Sequence, residues 1–158
     1  MSIFIRSAIS AGLIAGLVFL ILEMVLVATV GGGTPWAPPR MIAAIVMGDG
    51  VLPPPADFNP VIVLVGLIVH FVLSVVFALI FAAIVTGRGL TVATTVIAGI
   101  VFGLIVYGIS FYLMTEFFPW FAMARNWISV LGHAVFGGVL GWVYFNRAAR
   151  VVTVDRVA

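Results

Sequence analysis

The sequence predicts an all-α membrane protein with four transmembrane helices. Hydrophobic residues make up 65% of its 158 residues and charged residues only 8%, and the mean hydropathy is +1.37. A chain of this composition has more apolar surface than one soluble core can hide. Four apolar stretches reach the roughly 20 residues that a helix needs to cross the hydrocarbon layer. They lie at residues 8–30, 61–86, 91–114 and 127–146 of what we expect to be a single membrane domain, 1–158.

The first span follows Arg6 and therefore has to be distinguished from a signal peptide. Its apolar run of about 23 residues is long enough to span rather than be cleaved. Glu23 within the run is also atypical of a discarded leader. We therefore predict a helix that is retained in the mature protein.

The connection at residues 31–60 is the only long one, and it is rich in glycine and proline at both ends. Its apolar centre, Met41 to Met47, is too short to cross a membrane. Pro38 and Pro39 favour a helix start and Gly48 favours a helix end. The pattern predicts a short interfacial or re-entrant helix at about 38–48, with a plain exposed loop as the alternative.

The remaining connections are shorter. Gly87-Arg88-Gly89 predicts a tight turn between the second and third spans, and an aromatic segment at 115–126 fits the membrane interface. The tail at 147–158 reads as short, polar and frayed. With the N-terminus inside, five arginines lie on the inner side and two, Arg40 and Arg125, on the outer side. This bias predicts that both termini are cytoplasmic.

Several short sequence motifs occur twice in the same order. They predict an internal duplication in which each copy contains two spans (2+2). The first and third spans begin AGLIAG and AGIVFG, so that Gly12 and Gly16 correspond to Gly99 and Gly103. A Pro-Trp pair, then an arginine, then a span with one histidine follow in each half; these are Pro35-Trp36, Arg40 and His70, and Pro119-Trp120, Arg125 and His133. Two spans per copy imply a symmetry axis along the membrane normal. Together with Gly137 and Gly141, the glycine pairs form GxxxG spacings that favour close helix packing.

One polar residue per span falls in the same outer layer of the predicted membrane domain. At a rise of 1.5 Å per residue, His70 lies roughly 13 Å, His133 roughly 9 Å, and Glu23 and Tyr107 roughly 10 Å below the outer ends of their helices. Such residues are costly at lipid depth unless they face the bundle. We expect a buried cluster of Glu23, His70, Tyr107 and His133 in which the two imidazoles face each other. Supporting positions are Ser74, Ser110, Asn126 and Ser129, and the outer rim is Arg40, Arg125, Trp36 and Trp120.

The cluster admits several interpretations. It is either a hydrogen-bonded structural plug or a functional site. Glu23, His70 and His133 could bind zinc or iron, although no helix offers the i,i+3 or i,i+4 ligand pair. His70 and His133 could hold a haem b, and titratable His and Glu would serve a proton or small-solute pathway.

Composition and motifs exclude several function classes. All seven basic residues are arginines, and they are dispersed, so nucleic acid is not an expected partner. The absence of cysteine excludes disulfides and thiolate metal sites. There is no P-loop, dinucleotide fingerprint, HExxH or nucleophile elbow. We therefore expect a non-enzymatic protein, with an intramembrane hydrolase or oxidoreductase as the remaining enzymatic alternative.

The segments ISFYLM, FPW and NWISVLGHAVF, with HFVLSVVFALIFA upstream, resemble the YagU-type bacterial inner-membrane proteins. The resemblance covers mainly residues 98–136 and, more weakly, 70–82. It implies a small polytopic inner-membrane protein with a motif around Pro-Trp, Asn126 and His133, and a connection with acid tolerance. It implies no substrate, and it does not extend to Arg40 or Pro38-Pro39.

Taken together, the sequence predicts a multi-pass protein of the bacterial inner membrane. Its expected role is a non-enzymatic accessory or interaction module, working as a homo-oligomer or as a subunit of a larger membrane complex. The alternatives are a proton- or solute-conducting protein and a subunit that binds haem b or a divalent metal.

Overall fold

The computed structural model describes residues 3–52 and 54–154, and within this part of the chain all regular structure is helical. The α-helices are α1 (Ile3–Thr29), α2 (Ala37–Met47), α3 (Pro60–Val85), α4 (Val92–Gly108) and α5 (Trp127–Val154). Three short 3-10 segments lie at Asp49–Val51, Met114–Glu116 and Pro119–Ala124, and a π-helical turn lies at Ile109–Leu113. Four helices are long and apolar enough to cross a membrane: α1, α3, α5, and α4 with its extension to Glu116. The predicted all-α fold with four candidate spans is confirmed.

The helix ends follow from local sequence. Asn59 caps α3, since its side-chain oxygen accepts hydrogen bonds from the backbone of Val61 and Ile62. Thr91 caps α4 in a reciprocal capping box with Thr94. Between these helices Gly87 and Gly89 have φ values of +77° and +62°, a backbone conformation that favours glycine. The tight turn is therefore present where the sequence placed it.

The short helix α2 begins with Pro38 and Pro39 in its first turn and ends at Gly48, whose φ is +82°. It packs on α3 at Gly66, where an added Cβ would collide with the backbone of Pro39. Glycine at this position is what lets the two helices approach.

The last helix is longer than predicted. The segment after Asn146 was expected to be a frayed polar tail, but α5 continues to Val154. Arg147 and Ala148 have high helix propensity and no helix breaker follows them, which accounts for the difference. Residues 155–158 of the predicted tail lie outside the described residues.

The four long helices pack as a row of neighbours, in the order α3, α1, α5, α4, and α2 lies against α3. The helices at the two ends of the row, α3 and α4, hardly touch each other. A duplication with an exact two-fold axis would make α3 and α4 pack as closely as α1 and α5 do. The bundle is therefore open on one side, between α3 and α4.

Glycines set the closest helix approaches at matching places in the two halves. A Cβ on Gly12 would meet Ser74 and Ala78 of α3, and one on Gly16 would meet Ser74 and His70. In the second half, a Cβ on Gly99 would meet Gly137 and Gly141 of α5, and one on Gly103 would meet His133 and Gly137. The contacted positions correspond in the two helices. In each helix they are the histidine and the residues four and eight places after it: His70, Ser74 and Ala78 in α3, and His133, Gly137 and Gly141 in α5. Both halves thus share one packing register.

The two ends of the bundle are packed differently. The end that holds the α3–α4 turn is called the turn end, and the end that holds the two longer connections is called the loop end. A continuous hydrophobic core fills the turn end; it is formed by Ala8, Ala11 and Ala15 of α1, Ala78, Phe81, Ala82 and Val85 of α3, and Phe136, Leu140, Val143 and Tyr144 of α5. The buried polar residues Glu23, His70, Ser129 and His133 lie above this core, toward the loop end.

Candidate functional site

His70 is fixed by the backbone of the neighbouring helix. Its Nε2 lies 2.8 Å from the carbonyl oxygen of Gly16 and 3.5 Å from Ser74 Oγ. Because a carbonyl oxygen only accepts, Nε2 carries the proton and donates it. The close approach depends on Gly16, since a Cβ there would lie 3.3 Å from Nε2. The α1–α3 packing therefore sets the orientation of this imidazole.

His133 is fixed within its own helix. Its Nδ1 lies 2.8 Å from the carbonyl oxygen of Ser129, one turn earlier, and must donate to it. In a neutral ring this leaves Nε2 as an acceptor. None of the described residues forms a hydrogen bond with that nitrogen.

Phe19 of α1 packs on both histidines and had no place in the predicted cluster. Its ring is stacked on His70 at a centroid distance of 5.6 Å and meets His133 edge-on at 4.9 Å. The described aromatic pairs include no direct ring contact between the two imidazoles, and Phe19 contacts both of them. Phe19 could have been found from its position in the sequence, because it lies one helical turn before Glu23 and therefore on the same face of α1.

Glu23 forms no hydrogen bond with either histidine in the part of the chain that the structure describes. It is 5% exposed, and its Oε1 is fully enclosed without a hydrogen-bond partner among the described residues. The carboxylate lies against Gly132 of α5, where an added Cβ would come within 3.3 Å of Glu23 Cδ. The described residues include no group of three His, Asp or Glu side chains that could share a metal ion. The structure therefore does not assemble Glu23, His70 and His133 into the hypothesised metal site.

The arrangement does not fit a haem b held by both histidines either. Such a haem needs both rings to face one iron. His70 Nε2, the ring nitrogen that would bind the iron, instead donates its proton to the carbonyl oxygen of Gly16.

Tyr107 is at the edge of the cluster. It is half-buried, and its ring lies 5.6 Å from the His133 ring and 5.1 Å from Phe111. It lines neither of the two cavities described below, whereas Ser110, predicted as its supporting residue, does line one.

The two arginines predicted at the rim hold the connections in place. Arg40 is only 7% exposed and donates to the carbonyl oxygens of Val51 and Asp57, at 2.7 and 2.8 Å. Arg125 donates to the carbonyl oxygen of Phe111, inside the π-helical turn, at 2.6 Å and to Thr115 Oγ1 at 2.9 Å. Each arginine thus satisfies backbone or hydroxyl oxygens of its own half, and none of the described side chains links either one to Glu23.

The two tryptophans predicted at the rim and the supporting residue Asn126 also contact the connections and helix ends. Trp120 Nε1 donates to the carbonyl oxygen of Met41 at 3.1 Å and joins the aromatic connection to α2. Trp36 packs on Phe58 at 4.7 Å. Asn126 caps α5 through the backbone of Ile128 and Ser129, in the same way that Asn59 caps α3.

Two cavities lie above the core, toward the loop end. The cleft cavity, about 330 Å³, lies where α3 and α4 diverge and has both histidines in its wall. Its other lining residues are mostly apolar and include Ile42 and Ile45 of α2, Leu73, Ser74 and Phe77 of α3, Val106 of α4, and Ile109 and Ser110 of the π-helical turn.

The mouth cavity, about 410 Å³, lies between α1, the start of α2 and the start of α5. Glu23, Asn126 and Ser129 are its polar lining residues. Phe19, Ile42, Phe111 and Phe121 line both cavities and form the wall between them. The predicted cluster is therefore divided, with the histidines on the cleft cavity and Glu23 on the mouth cavity.

This division separates two kinds of chemistry. The cleft cavity offers an apolar volume with imidazole in its wall, and the mouth cavity offers a carboxylate among aromatic rings. No family model, curated protein or solved structure matches the chain, so the case for a function rests on its own residues.

Proposed function

We propose that this chain is a non-enzymatic accessory protein of the bacterial inner membrane that binds a lipid-soluble molecule in the cleft cavity. The observation that carries the proposal is the apolar cavity itself, which lies where α3 and α4 separate and has His70 and His133 in its wall. Cavities of this size, apolar with a few placed polar groups, are typical of small-molecule sites.

The ligand chemistry follows from the wall. Leu73, Phe77 and Val106 supply apolar surface, and His133 Nε2 is an acceptor that the described residues leave without a donor. The expected ligand is therefore an apolar molecule that carries one hydrogen-bond donor, such as a hydroxyl group. Because the cavity lies in the spans and is open between two of them, entry from the hydrocarbon layer is the short route.

A conducting role is favoured less. A proton or solute path has to continue to both sides of the membrane, whereas the turn end is filled by a hydrophobic core that includes Phe81, Leu140 and Tyr144. The polar residues of the cluster lie above this core only. Binding requires no opening at the turn end.

The proposal includes an orientation and an origin. Arginine bias favours cytoplasmic termini, so that the loop end faces the periplasm. The shared packing register of His70 and His133 supports an ancestral 2+2 duplication, and the resemblance to YagU-type proteins is consistent with an inner-membrane location. The divergence of α3 from α4 leaves apolar helix faces that suit a partner, so we retain the expectation of a homo-oligomer or a subunit of a larger membrane complex.

A pair of neighbouring substitutions on α3 tests the binding site. Leu73→Trp places a large ring in the cleft cavity, which Leu73 lines. Val72→Trp places the same ring on the lipid-facing side, where Val72 is 57% exposed. Native mass spectrometry of protein released from detergent should show a non-covalently bound mass in the parent chain and in Val72→Trp, and less than a tenth of that occupancy in Leu73→Trp.

Equal occupancy in the two variants would contradict the proposal, and so would a parent chain that carries no bound mass. Thermal unfolding of both variants in the same detergent serves as the control for folding. Blue-native electrophoresis of the same samples tests the oligomer, which a solely monomeric band would exclude.

A further inference from the structure

The carboxylate oxygen Oε1 of Glu23 is enclosed and has no hydrogen-bond partner among the described residues. A buried ionised carboxylate is costly unless a charge or hydrogen bonds compensate it. Oε1 has neither among the described residues. Both outer arginines are committed elsewhere, Arg40 to Val51 and Asp57 and Arg125 to Phe111 and Thr115.

The space next to this carboxylate is large enough for a ligand. Glu23 lines the mouth cavity of about 410 Å³, and among the described residues it is the only charged one in the lining. Trp127 and Met123 stand at the rim and are 60% and 70% exposed, which places an entrance at the loop end. A ligand can therefore reach Glu23 without crossing the hydrophobic core.

The rest of the wall is suited to positive charge that also carries apolar groups. Phe19, Phe111, Phe121 and Trp127 line the cavity around Glu23. Aromatic faces attract cations, and quaternary ammonium groups are bound in proteins by such rings. A single carboxylate in a mainly apolar and aromatic wall disfavours anions by its charge, and with only Asn126 and Ser129 as further polar side chains the wall offers few of the oxygen ligands that a strongly hydrated metal ion needs.

We infer that the mouth cavity is a binding site for a monovalent organic cation, of the tertiary or quaternary ammonium class, with Glu23 as its counter-ion. The ligand supplies the positive charge that none of the described side chains provides to Glu23. Gly132 keeps the position of the carboxylate open, because a side chain there would press on Glu23. The site is separate from the cleft cavity of the proposed function, and the aromatic wall that includes Phe19 divides the two.

Isothermal titration of the detergent-solubilised chain with benzyltrimethylammonium chloride tests this inference. The parent chain should bind one equivalent. Glu23→Gln keeps the shape of the side chain and removes its charge, so the affinity should fall at least tenfold. Glu116→Gln is the matched control, since Glu116 is an exposed acid of the same loop end that does not line the cavity; its affinity should equal that of the parent.

A second variant is independent of the buried carboxylate. Trp127→Leu changes an exposed residue at the entrance, which the fold tolerates, and should weaken binding severalfold through loss of one aromatic face. No binding by the parent chain overturns the inference, and so does unchanged affinity in Glu23→Gln or, if that variant fails to fold, in Trp127→Leu. Leu73→Trp should leave the titration unchanged, so this inference and the proposed function can fail separately.

Discussion

At the scale of single residues, the fold depends on glycines that let helices meet backbone to backbone. Gly103 is one of these, since a Cβ there would collide with the carbonyl group of His133 and lie 3.2 Å from Gly137 Cα. Backbone atoms of a packed helix cannot move aside as a flexible side chain can. Gly103→Ala should therefore destabilise the protein by at least about 2 kcal/mol, which thermal unfolding in detergent would show as a clear fall in Tm.

The same helix offers the matched control. Gly108 has ordinary helical φ and ψ, and an added Cβ there would meet nothing within 4 Å. Replacing glycine by alanine in a helix is worth about 0.5–1 kcal/mol when space is available. Gly108→Ala should thus leave Tm unchanged or raise it. A similar fall in Tm in both variants would mean that α4 and α5 pack less closely at Gly103 than in the structure.

At the scale of elements, the long connection between α1 and α3 is held by α2 through one buried side chain. Arg40 donates to the carbonyl oxygens of Val51 and Asp57, and hydrogen bonds from a charged donor are worth about 1.5–3 kcal/mol each. Arg40→Met leaves both oxygens without this donor. Proteinase K should then cut between residues 48 and 59 at least tenfold faster than in the parent chain.

Arg88→Met serves as the control for that experiment, because Arg88 is an exposed residue of the turn at the opposite end of the bundle. It removes the same charge and should leave the cleavage rate at residues 48–59 unchanged. If Arg40→Met is cut no faster than Arg88→Met, the guanidinium is not what holds the connection.

At the scale of the whole molecule, the sequence predicted the parts better than their arrangement. Spans and the ends of α2 depend on length, hydropathy, Pro38, Pro39 and Gly48, all of which are local signals. The depth of a residue also follows from the helical rise. The direction in which its side chain points does not, because α1, α3 and α4 are apolar on all sides and carry no periodicity that marks the buried face.

This limit explains what the sequence missed. Phe19 looked like one more apolar residue, yet it packs on both histidines and helps divide the predicted cluster. The separation of α3 from α4 could not be predicted either, since a tight turn joins them and neighbours in sequence usually pack together. The GxxxG spacing indicated that these glycines serve close helix packing, but it indicated neither that α1 packs on α3 and α4 on α5 nor the α1–α5 contact that completes the row.

The contrast between a packed turn end and an open loop end makes a prediction about access from the two sides of the membrane. The chain has no cysteine, so each introduced thiol is unique. Ser129 lines the mouth cavity, whereas Thr95 is buried near the turn end. A membrane-impermeant trimethylammonium-ethyl methanethiosulfonate, added to intact spheroplasts, should label Ser129→Cys and leave Thr95→Cys unlabelled until the protein is denatured.

Arg88→Cys reports the orientation in the same experiment. Its exposed position in the α3–α4 turn should be labelled only after the spheroplasts are lysed, because the proposed orientation, with both termini cytoplasmic, puts this turn in the cytoplasm. Labelling of Arg88→Cys in intact spheroplasts, with Ser129→Cys protected, would reverse the orientation but keep the asymmetry of the bundle. Labelling of Thr95→Cys in the native protein would contradict the asymmetry itself, because the reagent would then have entered the core that closes the turn end.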